Sequence, residues 1–153
     1  MRRSKTIEFV RILEAIQKDL VKIGLRTRVT KTVSESDVYL FAGITGDFDP
    51  NHVDEEYCRN TSLGHRVAHG ALIVGYTSAA STRILQDFDR PMVSVGYDRI
   101  RFLKPVYFGD TLTIDYVIES IERERERTIA KIEVKNQKDE LVAILTHIMQ
   151  LVS

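Results

Sequence analysis

From Val67 to Thr82 the chain carries no charged residue other than what His69 could acquire, and this stretch constrains the fold more than any other. Gly70 opens it as a helix that the pattern extends to about Gln86. Its residues are Ala, Leu, Ile and Val with small Ser, Thr and Gly, and a helix apolar nearly all round is a buried helix. Asp87 and Pro91 mark its exit. Four strand-like runs follow, at 93–103, 111–121, 127–134 and 141–152. The polar turn Asn136-Gln137-Lys138-Asp139 joins the last two, and the alternating charges from Arg123 to Arg127 suit a solvated turn. One buried helix covered by an antiparallel sheet is an α+β architecture in a single domain, 1–153.

The segments before the central helix are shorter. Phe9, Leu13, Ile16 and Leu20 lie on one helical face, and Gly24 follows as a stop, so an amphipathic helix is expected over 5–23. Residues 26–34 alternate with β-branched side chains and read as a strand. Ser34 or Ser36 suits the cap of a short helix running to about Gly43, and 55–60 reads as another helical piece. A sheet that covers a helix on one face leaves edges to be managed, so a homodimer or higher homo-oligomer is expected.

Lys plus Arg equals Asp plus Glu at 22 each, which argues against nucleic acid or an anionic membrane as the main partner. The uncharged stretch is too short to span a bilayer, and the N-terminus lacks an apolar signal core. Cys58 is the single cysteine, so an intrachain disulfide and a multi-cysteine metal site are excluded. These features fit a cytoplasmic, reducing compartment.

The chemistry concentrates in Thr45-Gly46-Asp47-Phe48-Asp49-Pro50-Asn51-His52-Val53-Asp54. Gly and Pro together disfavour a regular helix or a central strand, so a rigid loop is expected. It carries Asp47 and His52, which can exchange protons near neutral pH once their surroundings tune them. Ala68-His69-Gly70 follows seventeen residues after His52. A bland reading of the same residues is a turn-stabilising Asx group and a surface histidine. His52, His65 and His69 show no dense metal-ligand spacing, so no metal is expected. Asp54 suits a helix cap, His69 a structural role, Cys58 a small buried residue and Asp110 a turn beside Gly109. Arg99, Arg101 and Lys104 read more readily as a solvated face than as phosphate ligands.

Thr45-Gly46-Asp47-x-Asp49-Pro50-x-His52-x-Asp54, followed by Ala68-His69-Gly70, resembles the hydratase motif of MaoC-like (R)-specific enoyl-CoA hydratases. Phe102-x-x-Pro105-Val106-x-x-Gly109-Asp110 resembles the second recurring pattern of that family. The resemblance spans about residues 28 to 152. It implies a hot-dog fold, an antiparallel sheet wrapped around a long helix. It also implies reversible addition of water to a trans-2-enoyl thioester of coenzyme A or acyl carrier protein, with no cofactor beyond the coenzyme A of the substrate. On this resemblance Asp47 and His52 are the catalytic pair, the Gly70 amide is the oxyanion donor, and Ser78 helps orient the site. The family usually has Asn in place of Asp49. A second carboxylate there would either raise the pKa of one of the two acids or point to solvent.

Two other functions suit the same fold. Thioesterases and acyl-carrier-protein dehydratases of this type place an acid on the central helix, and Gly70 to Gln86 contains none. A non-catalytic acyl-thioester-binding protein would keep the pocket and tolerate loss of Asp47.

Overall fold

The computed structural model describes residues 21–86, 88 and 90–152. The expected helix over 5–23 lies outside the described residues except for its last three, which form a turn ending at Gly24 (φ 86°). Strand β1 (Arg26–Thr32) is followed by helices α1 (Glu35–Thr45), α2 (Pro50–Val53) and α3 (Glu55–Arg59). Then come α4 (Gly70–Tyr76) and α5 (Ser78–Ile84), and strands β2 (Met92–Phe102), β3 (Thr111–Glu122), β4 (Arg127–Lys135) and β5 (Leu141–Leu151). The strands form one antiparallel sheet in the order β1-β3-β4-β5-β2, with β1 and β2 at its edges.

Alternation along the strands puts one face of the sheet in the core. Leu112, Ile114, Tyr116 and Ile118 of β3 are buried beside Ala130, Ile132 and Val134 of β4 and Val142, Leu145 and Met149 of β5. Ile73, Ala80 and Ile84 join the same cluster from the helical layer. Burial of apolar surface at about 25 cal/mol per Å² makes this layer the main source of stability.

Three local readings need correction. The central helix is not continuous, because Thr77 divides it. The Thr77 hydroxyl donates to the Val74 carbonyl at 2.6 Å, and the Thr77 and Ala80 amides donate three residues back in a tighter turn. Such back-bonding competes with the regular ladder. Nor is that helix buried all round: Ala71, Gly75, Ser78, Ala79 and Thr82 face outward in the single chain. Finally, the Asp47 loop contains a helical turn. Pro50 sits at its first position, where its missing N–H costs nothing, and Asp49 caps it.

Other local signals act as their chemistry suggests. Ser34 closes a capping box with Asp37 at the start of α1, and the Asp54 carboxylate accepts from the Tyr57 amide at the start of α3. Asp110 accepts from the Tyr107 amide at 2.8 Å across the turn holding Gly109 (φ 86°). Among the described residues no helix is long and apolar enough to cross a membrane.

Candidate active site

The site is assembled where α1 ends. Gly46 closes that helix in the left-handed conformation (φ 81°), which releases the chain into Asp47. The Asp47 carboxylate is half exposed, and its Oδ1 accepts from the Asp49 amide at 3.3 Å. The turn of α2 then lifts His52 to face it. The Asp47 carboxylate and the ring nitrogens of His52 and His69 come within 4.8 Å of one another, a separation that one bridging water spans. The sequence expectation that Asp47 and His52 converge therefore holds in the geometry, and His69 joins them.

The backbone decides which nitrogen of each ring is free. His52 Nδ1 lies 2.7 Å from the Val67 carbonyl, which can only accept, so Nδ1 carries the proton. This leaves His52 Nε2 with its lone pair, the form a general base needs. His69 Nε2 donates to the Asp47 carbonyl at 3.0 Å, fixing the backbone of the acid. His69 is 2% exposed, and its Nδ1 is buried without a hydrogen-bond partner among the described residues. The His52 and His69 rings pack at a 30° tilt with centroids 3.7 Å apart, and Phe41 of α1 packs on His69 at 4.9 Å. His69 is thus hydrogen-bonded through its ring, as expected of a histidine placed before the helix.

Asp49 is exposed to solvent, one of the two outcomes considered for it, and it also has a local partner. Its Oδ1 accepts from the Asn51 amide at 2.9 Å and caps α2. Asn and Asp serve that role about equally, which accounts for the acid in this position without a catalytic task.

Gly70 is the first residue of α4, so its amide has no acceptor within the helix and sits at the positive end of the helical dipoles. The space beside its Cα is not open for a ligand, however. A Cβ built there would lie 2.6 Å from Cε2 of Phe102, so the ring of the second motif occupies it. Gly70 lets two protein segments meet rather than admitting a thioester on that side. Phe102 is about half exposed, so its ring can yield. Gly70→Ala is therefore expected to change the melting temperature little while displacing Phe102. Turnover should fall by up to about 100-fold, as misplacing a binding wall does. Steady-state rates and thermal melts of the variant check this.

Beside the site an apolar groove of about 350 Å³ runs between the Val67–Gly70 segment and the second motif. Val67, Ala68 and Ile73 line one side, and Phe102, Pro105 and Val106 the other. Lys104 lies on its rim but pairs with Glu140 at 2.6 Å, and the Arg101 guanidinium turns back to the Ile100 carbonyl. Ser78 stands apart. It is exposed at the start of α5, its carbonyl accepts from the Ser81 hydroxyl, and it does not line the groove.

Sequence reasoning missed Val67 and Phe41. Val67 acts through a carbonyl, which leaves no mark in residue type. Phe41 is one of several apolar residues on α1, with nothing local to single it out.

The chain matches the MaoC-like domain over residues 18–141. It is 36% identical over 107 residues to the (R)-specific enoyl-CoA hydratase of Rhodospirillum rubrum, a stretch covering 69% of this chain and 72% of that protein. It is 30% identical over 129 residues to the mitochondrial 3-hydroxyacyl-[acyl-carrier-protein] dehydratase of Arabidopsis thaliana, covering 83% and 75%. Its fold superposes on unliganded R-hydratase PhaJ1 of Pseudomonas aeruginosa with a TM-score of 0.74 at 27% identity, covering 86% of this chain and 82% of that one. With its antiparallel sheet, its central helical layer and both motifs in place, the chain belongs to the MaoC-like domain family and has the hot-dog fold.

Proposed function

We propose that this protein is a hydro-lyase that adds water reversibly to a trans-2-enoyl thioester, giving the (R)-3-hydroxyacyl thioester. The observation that carries the reading is the Asp47 carboxylate and the His52 ring brought within 4.8 Å of one another beside an apolar groove, with His52 Nδ1 held by the Val67 carbonyl. Water held between the two loses a proton to the pair as its oxygen bonds to Cβ. The pair returns one proton to Cα, so neither residue is consumed. Negative charge that builds on the thioester oxygen is met by the Gly70 amide at the start of α4. The groove takes the acyl chain, and the reaction needs no metal and no cofactor beyond the carrier on the substrate. Asp47, His52 and Gly70 carry the chemistry. Ser78 is left a minor orienting role, given its exposure and distance along the helices.

The names of the related proteins support an acyl thioester as the substrate class, on coenzyme A or on acyl carrier protein. Crotonyl-CoA tests the reading, with enoyl absorbance and free thiol followed in parallel. Loss of absorbance with no thiol released is expected. Thiol release would mark a thioesterase, and tight binding with neither change a non-catalytic binder.

The same reading includes a homodimer. Among the described residues, strand β2 is an eleven-residue edge of the sheet, whose Val93 and Val95 are 48% and 46% exposed. Phe102 and Leu103 lie exposed where the groove opens. Pairing with a second copy along β2 covers all four. Light scattering should give twice the chain mass, and Val93→Lys with Val95→Lys should give a monomer. A wild-type monomer at micromolar concentration would refute this assembly.

A further inference from the structure

The outer side of the catalytic segment is fixed by a residue that neither motif contains. Arg66 precedes Val67, whose carbonyl sets the His52 tautomer. The Arg66 guanidinium bonds Glu35 at 2.6 Å and the Tyr39 hydroxyl at 2.7 Å, both on α1. Its Nε reaches Glu55 of α3 at 3.3 Å, and its plane lies over the Phe108 ring at 4.7 Å. The Arg66 amide donates to the same Glu55 oxygen at 3.2 Å, so side chain and backbone are tied to one point. Helix α1 leads into Asp47, and α3 follows directly on the turn carrying His52. One planar cation therefore joins the two elements that present the pair to the extended segment that orients it. On the inner side the Val67 amide donates to the Asn51 carbonyl at 3.0 Å and the Ala68 amide to the Val106 carbonyl at 2.8 Å.

We propose that Arg66 is a positioning residue: by clamping α1, α3 and its own peptide it holds the Val67 carbonyl against His52 Nδ1, and so keeps Nε2 free toward the substrate. Arg suits this place because its fork meets several acceptors in one plane while stacking on a ring, which a lysine ammonium does not do. Glu35 and Glu55 are partly exposed, so both stay hydrated when the cation is removed and the fold tolerates its loss.

The proposal rests on the reading of His52 as a proton carrier, yet its test has a readout independent of turnover. Imidazole ¹⁵N shifts report the His52 tautomer in wild type, Arg66→Met, Arg66→Lys and Glu35→Gln, and kcat and KM are measured on the same samples with crotonyl-CoA. Wild-type His52 should show the Nδ1–H form. In Arg66→Met that signal should give way to mixed tautomers, with kcat down by about 10- to 100-fold and KM changed by less than about threefold. Arg66→Lys should recover part of both. Should Arg66→Met fail to fold, Glu35→Gln, which removes one acceptor at the exposed end, carries the test with a smaller change in the same direction. A folded Arg66→Met, or Glu35→Gln in its absence, with wild-type tautomer and kcat would overturn the proposal. A wild type with the Nδ1–H tautomer but no turnover would instead overturn the hydratase reading, leaving the clamp to be judged by the shifts alone.

Discussion

Asp47→Asn is expected to lower kcat for enoyl-thioester hydration by roughly 10²- to 10⁴-fold, or about 3 to 5 kcal/mol of barrier, the usual worth of a positioned proton-transfer group. The amide keeps the size of the side chain and can still hold a water, but it cannot take or give a proton. KM should move little, because the carboxylate lies beside the groove rather than in its lining. Stability should be nearly unchanged, since the side chain is half exposed and its neighbours remain. His52→Ala should lose activity to a similar degree. It also removes the bond to Val67 and the packing on His69, so a stability cost of about 1 kcal/mol accompanies it. Residues that act on one water are not additive, so the double variant should be scarcely slower than the worse single one. Rates, thermal melts and binding of a saturated acyl-CoA check each part. A non-catalytic binder would show no difference among the variants.

The second large effect concerns stability and pH. His147 on β5 is 1% exposed, with Nδ1 3.1 Å from the Tyr116 hydroxyl and Nε2 2.8 Å from the Ser94 hydroxyl. It stacks flat on Tyr97 with ring centroids 4.4 Å apart. Burial disfavours the imidazolium and pushes its pKa down from the ordinary 6.5 to about 4. The folded state therefore keeps this ring neutral where the unfolded chain already binds a proton. The contribution is fully present above pH 6.5 and is lost as pH falls from there toward 4. Complete loss amounts to roughly 3 kcal/mol, a large share of the 5–15 kcal/mol that holds a typical domain together. Glu55, held low by His65 first and then by the Arg66 amide, titrates below this window and adds its effect only at more acid pH. Chemical denaturation between pH 7 and 4.5 should show the decline. His147→Gln should start less stable by about 1–3 kcal/mol, because its amide cannot match both partners, and should show a flatter slope. Equal slopes in the two proteins would remove His147 as the cause.

The central architecture was legible in the sequence because it rests on periodicity. Alternation in β3, β4 and β5 marks the buried face of the sheet to within a residue or two, and Ser34, Asp54 and Gly109 announce their turns by residue type. The continuity of the central helix was misread because Thr77 looks neutral in a composition rich in small residues. Its hydroxyl breaks the ladder only by choosing the Val74 carbonyl. Asp47 and His52 stand out because they are titratable and share one short loop. The groups that tune them do not stand out, since Val67 acts through its backbone and the partners of Arg66 lie 31 and 11 residues away. His147 escaped notice for a similar reason, because it occupies an inward position of a strand whose pattern is otherwise apolar. Pairings of that kind depend on which elements the fold brings together, and no local spacing encodes them.

Hydration of crotonyl-CoA in deuterium oxide tests the account most directly. If Asp47 and His52 deliver one solvent proton to Cα and hydroxide to Cβ, the product is (R)-3-hydroxybutyryl-CoA with a single deuterium at C2, and Asp47→Asn yields almost none. The (S) product, free coenzyme A, or full activity in Asp47→Asn would contradict it.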